Sequence, residues 1–238
     1  MSQPLLQQSL GSIACEIPGA TRIFYANKLD FCCGGGLSLQ DAAQKRGIDP
    51  AAIAAELESL STQQSDAEDW RLASDAALIE HILGRYHARH REQLPELIRL
   101  ASRVEQVHGQ REDCPEGLTE LLHYLQQELE SHMLKEEHVL FPALLDGAGQ
   151  RAAGPISVMR AEHEEHASAI RRLLELTEQI TPPRDACNTW RALYRGLDEF
   201  VQDFTQHIHL ENNLLFSNAL NPESQQPAPA VSATQRSV

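Results

Sequence analysis

Two stretches of this chain begin as ladders of large apolar residues and end in histidine and glutamate. One runs Leu118, Leu122, Leu125, Leu129, His132, Glu136; the other runs Trp190, Leu193, Leu197, Phe200, Phe204, His207, Glu211, Leu214. Steps alternating between three and four residues mark the inward face of a helix in a bundle. Ionisable side chains therefore stand where leucine belongs. One helical turn separates each histidine from its glutamate, so the two side chains point the same way, about 6 Å apart. A single such pair is common on helix surfaces. Two pairs that each continue an apolar ladder constrain fold and chemistry together.

Two further ladders complete the set: Leu83, His87, His90, Leu94, Leu97 and Ile156, Met159, His163, His166, Ile170, Leu173. Breakers separate the four: Cys114-Pro115, then Gly147 to Pro155, then Thr181-Pro182-Pro183. The pattern predicts helices over 74–107, 116–145, 155–180 and 184–219. Connections this short make neighbouring helices antiparallel. The expected class is all-α, with an antiparallel four-helix bundle over 70–220.

Ahead of the bundle, the polar run 61–69 reads as a linker. Before it, helical patterns cover Ala20 to Asn27, Leu39 to Arg46 and Pro50 to Leu60, the last with Asp49 as N-cap. We assign them to a small N-terminal helical domain, 1–62. From Asn221 onward Pro, Gln, Ser and Ala recur without periodicity, so 221–238 reads as a disordered tail.

Composition narrows the partners. Thirty-four acidic against 20 basic residues give a formal charge of −14, which repels nucleic acid and anionic membranes. No stretch approaches the roughly 18 apolar residues of a membrane span. The N-terminus shows neither a basic n-region nor a continuous apolar h-region, so no signal peptide is expected. Five irregularly spaced cysteines, Cys15, Cys32, Cys33, Cys114 and Cys187, form no disulfide framework and fit a reducing cytoplasm.

The inward histidines and glutamates point to metal. An unpaired buried carboxylate costs several kcal/mol and each unsatisfied imidazole roughly 1–3 more. Six such groups rival the whole stability of a domain, about 5–15 kcal/mol, unless cations sit among them. The donors are nitrogen and oxygen without thiolate, and six converging ligands suit two octahedral ions better than one tetrahedral zinc. With Glu136 and Glu211 bridging, four histidines and four carboxylate oxygens fill eight of twelve positions. Nitrogen-rich ligation with open positions favours iron over manganese. The ladder itself leaves His87 and His90 as alternatives. Glu128 and Glu162 sit beside the seams, either as solvated charge or as hydrogen-bond partners behind the ligands.

The segments Arg85 to Pro95, Ser131 to Glu137, Gly154 to His163 and His207 to Asn213 resemble the Repair of Iron Centres family (the YtfE, ScdA and DnrN proteins). Asp30-Phe31-Cys32-Cys33-Gly34-Gly35 resembles that family's N-terminal ScdA-type domain, and the likeness covers about residues 10 to 220. It implies a hemerythrin-like bundle with two iron ions, bridged by oxo or hydroxo and by carboxylate. The implied terminal ligands are His87, His132, His163 and His207, and the bridges are Glu136 and Glu211. His166 departs from the family pattern and reads as an alternative ligand or as a group behind the ligands. Cys32 and Cys33 are expected to be an accessible redox or iron-handling pair, their pKa lowered by the start of a following helix; Cys15, Cys114 and Cys187 read as ordinary free thiols.

The resemblance further implies repair of iron–sulfur clusters damaged by nitrosative or oxidative stress, with iron supplied from the centre to damaged iron–sulfur proteins, and a homodimer. The alternatives are reduction of nitric oxide to nitrous oxide with Cys32 and Cys33 relaying electrons, which makes the chain an enzyme, and a non-catalytic sensor of dioxygen or nitric oxide.

Overall fold

The computed structural model describes residues 5–32, 35–61 and 69–220. Cys33, most of the expected linker and the expected tail lie outside the described residues.

Four short helices form the N-terminal part: α1 (Leu10–Glu16), α2 (Ala20–Ala26), α3 (Leu39–Lys45) and α4 (Pro50–Ser61). Three of the four starts are capped by side chains that take up free backbone N–H groups, while α2 starts at Gly19 without a side-chain cap. Ser9 accepts from Ser12 N, Ser38 from Asp41 N and Asp49 from Ala51 N, at 3.0 Å. Leu10, Ile13, Phe24, Phe31, Leu39, Ile53 and Leu57 close a core of their own. Helix α1 goes beyond the expected elements.

Four long helices follow. Helix α5 spans 75–108, α6 118–145, α7 Ala153–Leu176 and α8 188–220. Helix α5 packs on α6 and α8, and α6 packs on α7, as short connections require. Segment Tyr25 to Cys32 lies along the α7–α8 side, where it lines a cavity of about 290 Å³ with Ile170, Val201 and Phe204. No helix among the described residues is long and apolar enough to cross a membrane, and no strand occurs among them.

Three of the long helices are interrupted by a wider π turn: Ile82–His87 in α5, Glu136–Leu140 in α6 and Leu210–Leu215 in α8. Such turns cluster at functional sites because they re-aim side chains. In α5 the extra residue shifts the ladder's phase. Ile82 and Tyr86 are buried there, and the expected Leu83 is half-buried. Helix α7 ends at Leu176 rather than 180: the Thr177 hydroxyl donates to the Leu173 carbonyl at 2.8 Å and accepts from Ile180 N, and Glu178, Gln179 and Ile180 turn left-handed.

The bundle interior has two apolar halves. Leu94, Leu97, Leu122, Leu125, Trp190 and Leu197 belong to one; Ile82, Phe141, Ile156, Met159, Leu215 and Phe216 belong to the other. The ladders end in histidine and glutamate between the two.

Candidate metal centre

The π turns and the straight α7 bring six buried side chains to one place. His87, Glu136, His207 and Glu211 form one group, and His132, Glu136, His163 and Glu211 form another; within each, the donor atoms lie within 4.8 Å of one another. Both carboxylates belong to both groups. Glu136 reaches His87 Nε2 at 3.4 Å and His132 Nε2 at 3.3 Å. Glu211 reaches His163 Nε2 at 3.1 Å and His207 Nε2 at 3.0 Å. No member is more than 1% exposed.

Hydrogen bonds on the far side of the rings fix which nitrogen faces inward. His132 Nδ1 lies 2.8 Å from Glu162 and His163 Nδ1 3.0 Å from the Asn212 side-chain oxygen. Both partners accept, so both Nδ1 atoms carry protons. The two Nε2 atoms lie 3.0 Å apart, and in neutral rings both would be lone pairs. Neutral imidazoles repel in that arrangement unless a cation lies between them. Burial and the charge of Glu211 push Glu136 up to about 8. Burial also opposes ionisation of Glu211, but His207 and His163 outweigh it and hold Glu211 below the usual carboxylate range. Nitrogen and oxygen donors that converge in two buried groups sharing both carboxylates are able to hold metal cations.

Two family models match the chain. The Hemerythrin HHE cation binding domain covers residues 78–219, and the ScdA N-terminal domain, a domain of unknown function, covers residues 6–61. Among curated relatives, the iron-sulfur cluster repair protein YtfE of Yersinia pseudotuberculosis is 50% identical over 91% of this chain and 98% of its own length. The YtfE proteins of Pectobacterium carotovorum and Pectobacterium atrosepticum are each 51% identical over the same shares. The chain belongs to the Repair of Iron Centres family.

Within this family member, further residues stand behind the six. His87 Nδ1 donates to Glu137 at 2.8 Å, and Arg91 donates to the same oxygen. Lys135 binds Glu162 beside His132. Burial opposes ionisation of Glu137 and Glu162, but hydrogen bonds from Arg91 and His87, and from Lys135 and His132, hold both below the usual range. Glu162 thus takes the hydrogen-bonding role, whereas Glu128 is exposed. Glu137 and Asn212 escape a reading of the ladders because they point away from the seam; their signal is position, one residue after each shared glutamate.

His90 and His166 are buried but belong to neither group. The His90 ring lies 5.3 Å from that of His207 and edge-on to Phe200; the His166 ring lies 5.1 Å from that of His132. Burial, then neighbouring imidazoles, push His90 well below its ordinary value and His166 down to about 3. The expected accessibility of the cysteine pair needs correction at Cys32. Its side chain is 9% exposed and joins the bundle core, because segment Tyr25 to Cys32 packs against the bundle. Its Sγ lies 3.4 Å from Asp30 Oδ1. The helix that follows starts at Leu39 under the Ser38 cap, so no helix N-terminus adjoins Cys32. Cys15, Cys114 and Cys187 are free thiols.

Proposed function

We propose that this protein repairs iron–sulfur clusters damaged by nitrosative or oxidative stress, and that it does so by supplying iron. The reading rests on the name that its relatives carry, iron-sulfur cluster repair protein, and on one geometric observation. Two buried groups of four donors share both carboxylates, an arrangement that fits two iron ions. His87 and His207 would hold one ion and His132 and His163 the other, with Glu136 and Glu211 available to both.

Iron held this way supplies an exchangeable, redox-active cation, since carboxylate oxygens grip ferrous iron less firmly than thiolates do. The chain's own part is to keep that cation dry and oriented. Glu137, Glu162 and Asn212 hold protons on Nδ1 of His87, His132 and His163 and so keep the inward nitrogens ready to bind. Damaged iron–sulfur proteins are the recipients.

Ferrous-loaded protein, purified anaerobically, is expected to restore an inactivated iron–sulfur dehydratase. A Glu136→Leu variant, which removes a carboxylate shared by both groups, is expected not to. Equal rescue by that variant overturns iron donation from the centre.

A further inference from the structure

One hydrogen-bonded path joins the N-terminal part of the chain to the centre. Asn212 follows Glu211 in the π turn of α8. Its Nδ2 donates to the Cys32 carbonyl at 3.3 Å, and its Oδ1 accepts from His163 Nδ1 at 3.0 Å. The two contacts agree about which way the amide faces. A backbone carbonyl accepts and never donates, so the NH₂ group must point at Cys32 and the oxygen at His163. The turn itself is tied down, because the Asn212 carbonyl accepts from Arg160 and from Ser217, each at 3.1 Å. The neighbouring Asn213 donates to the Phe31 carbonyl at 3.3 Å. Consecutive asparagines thus hold consecutive carbonyls.

The equivalent place in the other half is built differently. There the residue after the shared glutamate is Glu137, whose carboxylate holds His87 and is tied to Arg91 on the surface. The bundle uses a charged, self-contained support for His87 and a neutral, two-ended support for His163. A carboxylate orients an imidazole by itself; an amide that also donates elsewhere orients it only as well as its second partner is seated.

We infer that Asn212 is a positioning residue that couples the seating of the Phe31–Cys32 segment to the iron position formed by His132 and His163. Displacement of the segment withdraws the Cys32 carbonyl, frees the amide to turn and loosens His163. Linkage is reciprocal, so an ion at that position favours the seated segment. The pair of positions is thereby unequal: one yields its ion when the N-terminal part moves, and the other holds. This inference rests on the ligand assignment proposed above and adds how release of one ion is governed.

Chelator competition on ferrous-loaded full-length protein tests it, with far-ultraviolet circular dichroism of each metal-free variant as the folding control. Asn212→Ala is expected to release one of the two ions roughly 10–100-fold more readily and to leave the other at its wild-type value. Asn212→Asp keeps an acceptor for His163 and is expected to retain both ions. Gly35→Ala disturbs the segment from a distance, since a Cβ there meets the Phe31 carbonyl oxygen at 2.5 Å. It is expected to loosen the same single ion in the wild-type background and to add nothing in the Asn212→Ala background. Asn213→Ala, which frees the Phe31 carbonyl, replaces it should Gly35→Ala not fold. Equal loosening of both ions by Asn212→Ala overturns the inference, as does a Gly35→Ala effect undiminished in the double variant. A wild-type chain that takes up no iron instead removes the ligand assignment itself.

Discussion

Glu137 and Glu162 each stand between a surface cation and a buried imidazole. Removing either leaves a donor on a buried ring without its acceptor, and supports of this kind are commonly worth 10–100-fold in metal affinity. Glu162→Ala is expected to weaken iron retention by roughly that factor in chelator competition, while Glu128→Ala, an exposed change on α6, leaves it unaltered. A second residue-scale prediction concerns Cys15, whose Sγ lies 4.0 Å from His209 Nε2. Burial, chiefly, pushes this thiol from its ordinary 9.0 to about 11. The raised value favours the protonated thiol, so thiolate at pH 8 falls about a hundredfold below that of an ordinary cysteine. In native alkylation followed by peptide mapping, exposed Cys187 is expected to label well before Cys15, and the Cys15 rate is expected to climb as pH approaches 11.

Among the elements, α6 shows the division of labour along one seam. Leu118, Leu122, Leu125 and Leu129 are at most 1% exposed and supply stability; His132 and Glu136 continue the same face and supply donors. Truncating the apolar part therefore separates the two. Leu125→Ala is expected to cost about 2–5 kcal/mol in chemical denaturation, with the iron content of the protein that remains folded unchanged. The four helices were legible in the sequence because each buries one continuous stripe. The π turns were not. A turn of that kind widens the backbone by one residue where packing and ligand direction demand it, and Gly84, alone inside the first of them, does not announce it because a single glycine is tolerated within a helix. For the same reason Leu83 was placed on the seam in place of Ile82.

For the molecule as a whole, the polar layer lies between two apolar halves and cannot retreat to solvent. Chelation is expected to lower the melting temperature. An ion present at a hundred times its dissociation constant stabilises the native state by about 2.7 kcal/mol, which corresponds to roughly 5–10 °C for a chain of this size. Scanning calorimetry with and without chelator checks this, and an unchanged melting temperature would remove the case for cations in the layer. The N-terminal part belongs to the same reckoning, since Tyr25 donates to Asp198 at 2.7 Å and Cys32 lies in the bundle core.

The amino-acid order alone determined the class of fold, the antiparallel bundle and the ladders on which the six donors stand, because helical periodicity and breakers are local properties. Tertiary structure decided which donors meet. His87 rather than His90, and His163 rather than His166, join the two groups, since the facing helix sets which turn of a seam lies opposite the shared carboxylates. It also decided that Asn212 spans from Cys32 to His163, residues 180 and 49 positions away. No pattern along a chain encodes a hydrogen bond whose two ends are brought together only by packing.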